Sequence, residues 1–226
     1  MDDLDAELAR ARSLDVAELA DAIEEIGFSC TRCGACCRGE ADDEHTATVF
    51  PDEVRAIRAA RAGRSADDAY DWRDVARPMP FGLVEDDDGG RSGETFEWAL
   101  QTDACGDCTF YEDGADEEPA ACTVHDDRPL ICQTYPFSVE LGGSEPMGEV
   151  VARAGVVRAH ECEGLGRNIE RADAVDLART VKERAIRDVA ELAAVRDAYQ
   201  PANPGPDEVV VHDSEGAKRP DGSSWQ

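Results

Sequence analysis

Apolar residues first recur at helical spacing close to the N-terminus. Residues 2–12 and 14–26 read as two helices. The second carries Val16, Leu19, Ile23 and Ile26 on one face and acidic residues on the other. Ser13 is placed to cap it, and Gly27 stands where a glycine commonly ends a helix. A polar loop is expected at 38–45, then a short strand over Thr46–Phe50. Pro51 starts a helix to about Ala62, with proline at the first helical position and Val54 and Ile57 on the apolar face. Gly63 closes it. Ser65 opens a further helical stretch to about Val75, and Pro78 and Pro80 break the chain.

From Phe81 the period changes from helical to alternating. Phe81–Val84 and Thr95–Leu100 read as strands on either side of a flexible turn over residues 85–93, with Phe96, Trp98 and Leu100 on one buried face. Tyr135–Leu141 and Glu149–Val157 read as a second hairpin across Gly142-Gly143. Asn168 or Asp173 then caps a long amphipathic helix to about Tyr199. Its stripe is Val175, Ala178, Val181, Ala185, Val189, Leu192 and Val195, suited to cover a sheet or a second copy of itself. Residues 201–226 are rich in Pro, Gly, Asp and Ser and read as a disordered tail, a short strand at Val209–Val211 aside.

Charge narrows the setting. The 226 residues carry 23 basic and 51 acidic side chains, a net −28, and the basic set includes only two lysines, Lys182 and Lys218. Such an acidic, lysine-poor surface suits a halophile, where salt screens repulsion between exposed charges within a few ångströms. Apolar residues still make up 42% of the chain, enough to build a core. No basic stripe exists to neutralise phosphates, which argues against nucleic acid as a partner. The N-terminus has no basic and apolar leader, and no apolar run approaches the ~20 residues of a membrane span. The expectation is a cytoplasmic protein with no membrane partner, in a reducing compartment where nine cysteines read as metal ligands before disulfides.

Those cysteines carry the chemistry. Cys30, Cys33, Cys36 and Cys37 form the pattern C-x2-C-x2-C-C. Thiolates two residues apart on a turning loop can converge on one metal ion or one iron–sulfur cluster. Gly34 supplies a permissive backbone for the turn, and Arg32 and Arg38 flank the thiols with positive charge that favours thiolate. Adjacent Cys36 and Cys37 direct their side chains differently in most backbones, so they are not expected to serve one centre identically. Cys105, Cys108, Cys122, Cys132 and Cys162 follow on short strands and loops, Cys162 within Cys-Glu-Gly-Leu-Gly. No Walker motif, dinucleotide fingerprint or serine-nucleophile motif is present.

The block Cys122-Thr-Val-His125-Asp-Asp-Arg128-Pro129-Leu-Ile-Cys132-Gln133-Thr-Tyr-Pro136-Phe137, together with the opening cluster, Cys108 before Phe110, and the Cys162–Gly164 loop, resembles the YkgJ-type cysteine-cluster family. That family is described as zinc- or iron-chelating, and the resemblance covers about residues 28–166. It implies metal ligation by Cys30, Cys33, Cys36, Cys37, Cys108, Cys122, Cys132 and Cys162. Two positions depart from the family pattern. His125 replaces a tyrosine, as a further ligand or, preferably, as a packing substitute for the ring. Gln133 replaces an arginine. Cys105 lies outside the pattern, as a spare thiol or a replacement ligand. Arg128 either pairs with a surface acid or donates to the site.

Eight thiols suffice for two four-thiolate centres, or for one centre with reserve thiols. C-x2-C-x2-C with a remote fourth cysteine favours a [4Fe–4S] cluster, while paired C-x2-C units suit structural zinc. The expected fold is α+β: a small antiparallel sheet and cysteine-rich loops around a metal site, with flanking N-terminal helices and a long C-terminal helix. The expected divisions are 1–27 (N-terminal helices), 28–166 (metal-binding domain), 167–200 (packed helix) and 201–226 (tail). The function expected is a metal or iron–sulfur protein. Two alternatives stand beside it: a protein-modifying enzyme related to flagellin lysine methylases, and a zinc-stapled domain for protein partners.

Overall fold

The computed structural model describes residues 2–39, 44–62, 70–85, 89–114, 119–142 and 149–225. Gly63, the start of the helix expected from Ser65, residues 86–88 of the turn after Val84, and Gly143 lie outside the described residues. The helices are α1 (Asp2–Ser13), α2 (Val16–Ile26), α3 (Pro51–Ala62), α4 (Leu130–Thr134) and α5 (Arg171–Ala198). The strands are β1 (Ala76–Pro78), β2 (Val84–Glu85), β3 (Arg91–Thr95), β4 (Trp98–Leu100), β5 (Tyr111–Glu112), β6 (Ala121–Cys122), β7 (Phe137–Val139), β8 (Val150–Ala154), β9 (Val157–His160), β10 (Val209–Asp213) and β11 (Gly216–Lys218). The fold is α+β, with several small sheets in place of the single one expected. The chain divides into two compact units, one of residues 1–36, 113–121 and 130–193, the other of residues 37–112, 122–129 and 194–226.

In the first unit α2 and α5 cover one sheet. Asp15, not Ser13, caps α2: its carboxylate accepts from the N–H of Ala17 at 2.7 Å and of Glu18 at 3.1 Å. A carboxylate there satisfies donors the helix cannot pair and meets the positive end of its dipole. Ser13 instead closes α1, its hydroxyl donating to the Arg10 carbonyl. Gly27 ends α2 at φ +76°, its N–H donating to Ile23 O at 2.8 Å. Leu19, Ala20, Ala22 and Ile23 of α2 and Ala174, Ala178 and Val181 of α5 form one core with Phe137, Ala154, Val157 and Ala159 of the sheet. Each fully buried Leu, Ile or Phe contributes roughly 1.5–3 kcal/mol. The stripe on α5 is buried as expected except at Val175, which is half-buried, and Leu192, which is exposed.

The sheet order is β7-β9-β8, all antiparallel. This corrects the hairpin expected between Tyr135–Leu141 and Glu149–Val157. The tight turn is at Gly155, and β9 inserts between the two segments that were to pair. Val157 was read as the end of one strand but begins the next, because alternation marks a strand without naming its partner.

The second unit holds β1 paired with β4, and a four-stranded sheet in the order β11-β10-β3-β2. The strand expected at Thr46–Phe50 forms one bridge, Thr48 to Ala99, flanked by Val49 N–H to Trp98 O and Leu100 N–H to Ala47 O. The strand expected over Thr95–Leu100 is divided between two sheets, and Phe96, read as buried beside Trp98, is exposed. The strand read at Phe81–Val84 is confined to Val84–Glu85, and Phe81 is exposed.

The tail is not disordered over its described length. β10 runs parallel to β3 with Val210 opposite Glu94, and antiparallel to β11 with His212 opposite Ala217. An interior strand buried on both faces wants a continuous apolar run, which Val209-Val-Val211 supplies within an otherwise polar segment. Trp98 donates its indole N–H to Asp213 Oδ2 at 2.8 Å, and Lys218 Nζ stands 2.8 Å from the same oxygen. The Lys218 ammonium also lies 5.3 Å from the ring centre of Trp72, which packs edge-on to Trp98.

Candidate metal centre

The opening cysteine loop leaves α2 through Gly27 and Phe28 and is turned by two left-handed residues, Arg32 at φ +55° and Gly34 at φ +77°. Gly34 takes this conformation freely; Arg32 does so at a steric cost, of the kind found where a loop is held in a functional shape. A short 3-10 turn over Ala35–Cys37 completes it.

The Cys162 loop is laid directly against this one. Phe28 and Leu165 form an antiparallel bridge, Ser29 N–H donates to Gly164 O at 3.0 Å, and Gly166 N–H donates to Gly27 O at 3.0 Å. The approach is too close for side chains. A Cβ on Gly164 would lie 2.5 Å from Ser29 O, and one on Gly27 would lie 2.6 Å from Arg167 O. Gly164 of Cys-Glu-Gly-Leu-Gly is therefore a spacing device that lets the Cys162 loop lie against the residue before Cys30.

Three thiols act on a fourth here. The Cys162 thiol is pushed up, first by burial and then by the proximity of Cys33, Cys36 and Cys30, against a lowering N–H···S contact from Gly164 at 3.4 Å. Tyr135 is pushed up to about 12, first by burial and then by Cys162, Cys36, Glu161 and Cys33. Its hydroxyl donates to the Glu161 carbonyl, tying the residue before Cys162 to the turn after α4. Neighbouring thiolates that disfavour the charged form of Cys162 would favour it around a cation, which reverses the sign of that interaction.

The remaining predicted ligands are placed as follows. Cys132 is half-buried on α4 in the first unit. The division of the chain falls between Cys36 and Cys37, so the adjacent pair belongs to different units. In the second unit the Cys37 carbonyl accepts the N–H of Cys108 at 2.8 Å. Cys108 is buried and Cys122 half-buried at the end of β6, followed by Thr123, whose N–H donates to Phe110 O. Arg38 lies over the Tyr111 ring.

Cys105 is exposed on a turn held by Asp103, whose Oδ1 accepts the N–H of both Cys105 and Asp107. His125 is exposed, with its ring beside Asp126. Arg128 Nε donates to the His125 carbonyl at 3.0 Å, so this contact shapes the turn before Pro129.

No disulfide joins any of the nine cysteines. Among the described residues, no group of three or more Cys, His, Asp and Glu is already set in geometry that would hold a metal ion. Cys30, Cys33 and Cys36 nonetheless lie close enough to Cys162 to act on its thiol. Their chemistry fits zinc or an iron–sulfur cluster, since soft thiolates select those centres. Tyr135 and the spacing role of Gly27 and Gly164 were missed in the sequence. The signals were there, in Tyr-Pro-Phe beside the last cysteine of its block and in the glycines after Cys162.

The clustered thiols of this α+β protein are those of a metal-binding protein. The chain belongs to the CxxCxxCC family, described as a "putative zinc- or iron-chelating domain", whose model matches residues 29–163, more than half of its length. No curated protein and no solved structure matches the chain. No helix among the described residues is long and apolar enough to cross a membrane.

Proposed function

We propose that this chain is a cytoplasmic iron–sulfur protein whose primary centre is held by Cys30, Cys33, Cys36 and Cys162, acting in electron transfer, sensing or metal storage. The observation that carries the reading is the docking of the Cys162 loop onto the C-x2-C-x2-C loop through Ser29 and Gly164. Three thiolates at this spacing with a remote fourth suit a [4Fe–4S] cluster, and the same four suit a closed zinc tetrahedron. When bound, the cluster supplies one-electron chemistry. The protein's own part is to hold four sulfurs at one point, to keep Tyr135 bonded to Glu161 so that Cys162 stays in place, and to set Gly164 N–H against the Cys162 sulfur. Cys37, Cys108, Cys122 and Cys132 are further ligands in this reading. The acidic, lysine-poor surface is assigned to solubility at high salt.

Anaerobic purification followed by iron, zinc and acid-labile sulfide analysis tests the assignment. About four irons with matching sulfide and absorption near 400 nm are expected. Zinc without sulfide would replace the iron–sulfur reading with a structural or zinc-handling one. Metal-free protein after both zinc and iron–sulfide reconstitution would remove both.

A further inference from the structure

Thr31 lies between Cys30 and Arg32 in the opening loop, and its hydroxyl oxygen is buried without a hydrogen-bond partner in the protein. The residue itself is half-buried, but its hydroxyl oxygen is taken out of water with nothing to bond, which costs free energy. Valine has the same shape and would remove that cost. What the loop does contain is sulfur. Cys30 precedes Thr31 and Cys33 follows two residues later, beside Cys36 and Cys162. Metal-bound thiolates and bridging sulfides are acceptors, and one backbone donor, Gly164 N–H, is already set on the Cys162 sulfur.

We propose that Thr31 Oγ1 donates a hydrogen bond to a sulfur of the loaded centre, making Thr31 a positioning and tuning residue for the bound metal. The inference rests on the metal-binding reading above and adds a residue that the cysteine pattern does not contain. The consequences have opposite signs in the two states of the protein. In the metal-free chain the hydroxyl is a liability. In the loaded chain it neutralises part of the sulfur charge, strengthens retention of the centre and, for an iron–sulfur cluster, favours the more negative reduced form and so raises the potential.

The test compares full-length wild type with Thr31→Val and Thr31→Ser. Each is titrated with zinc(II) against a competing chelator, and each is reconstituted with iron and sulfide for potentiometry. Thr31→Val should keep the wild-type stoichiometry, bind zinc roughly tenfold more weakly, and show a lower potential if a cluster forms. Thr31→Ser should stay close to wild type. Melted without metal, Thr31→Val should be at least as stable as wild type, an outcome that loss of a structural contact would not give. Zinc affinity of Thr31→Val within roughly twofold of wild type would overturn the inference while leaving the metal reading intact. A metal-free protein of lower stability in Thr31→Val would overturn it also, by showing a hydroxyl already bonded. Failure of wild type itself to take up metal would remove the metal reading first, and is told apart by the wild-type titration alone.

Discussion

The Cβ that Gly164 lacks would lie 2.5 Å from the carbonyl oxygen of Ser29, the residue immediately before Cys30. The obstacle is backbone and cannot swing aside, so any side chain at Gly164 pushes the Cys162 loop off the Cys30 loop. Gly164→Ala is expected to cost about 1–3 kcal/mol of stability, as overpacking does, and to lower metal content well below one centre per chain. Gly155→Ala is the control. Gly155 also sits at positive φ, +55°, but nothing stands within 4 Å of its missing Cβ. It should lose about 1–2 kcal/mol through backbone strain and keep its metal. Thermal melts and metal analysis of the two variants separate a spacing role from a general intolerance of alanine.

The thiols can be ranked in the same way. Cys33→Ala or Cys36→Ala removes one of the four sulfurs of the proposed centre and should abolish stoichiometric metal, since three thiolates supply less charge and an incomplete geometry. Cys105→Ala, on its exposed turn under Asp103, should keep most of it. Equal loss from all nine single variants, measured by metal content after identical reconstitution, would show that this assignment divides the thiols too finely.

How far the sequence could be read depended on whether the signal was local. The C-x2-C-x2-C-C loop, the positive-φ Gly34 and the Gly27 stop were legible because each is set by residues within a few positions. The boundaries of α3 followed from Pro51 in the same way. Strand partners were not legible. Val150–Ala154 and Val157–His160 alternate equally well whichever neighbour they take, and only the completed core of Phe137, Val157 and Ala159 selects the order β7-β9-β8. The tail was legible in part. The strand at Val209–Val211 forms as expected, but the tail's composition hid that this strand is interior to a sheet in which β3 and β2 lie more than a hundred residues earlier. The docking of Cys162 onto Cys30 is equally non-local, so the metal cluster could be foreseen as a set but not as a geometry.

Glu215 should set part of the acid stability. Arg55 holds its carboxylate through two contacts, Nη2 to Oε1 at 2.6 Å and Nη1 to Oε2 at 3.1 Å, and Lys218 Nζ reaches Oε2 at 2.7 Å. The side-chain hydrogen bond from Arg55 is the main cause that brings its pKa down from 4.5 to about 2, opposed by burial and helped by Lys218. A carboxylate with a depressed folded pKa contributes stability that is full above its ordinary value and is lost as pH falls through the folded one. The window is therefore pH 4.5 down to about 2. The side chain is 42% exposed, so screening limits the contribution to about 1 kcal/mol. Glu215→Gln should lower stability by that amount at pH 7 and flatten the acid limb of the denaturation curve between those two values. Curves that stay parallel to wild type from pH 7 to pH 2 would assign the acid sensitivity to other carboxylates.

The C-terminal hairpin gives the last prediction, because order and disorder there predict opposite outcomes. Val211 is fully buried in β10, and Asp213 accepts both the Trp98 indole N–H and the Lys218 ammonium. Val211→Ala deletes buried methyl groups from a packed strand and should cost about 2 kcal/mol. Trp98→Phe removes a donor to a charged acceptor that is itself buried, and should cost about 1.5–3 kcal/mol. Asp213→Asn should cost a comparable amount, since it leaves Lys218 buried against a neutral partner with only Glu215 to offset its charge. Trp98→Phe and Asp213→Asn act on one contact and should be less than additive together, whereas Val211→Ala with a distant substitution such as Cys105→Ala should be additive. Urea denaturation followed by tryptophan fluorescence reads these effects for Val211→Ala and Asp213→Asn, which keep all three tryptophans, and circular dichroism reads Trp98→Phe. A tail that does not pair with β3 would leave Val211→Ala and Asp213→Asn at the wild-type midpoint.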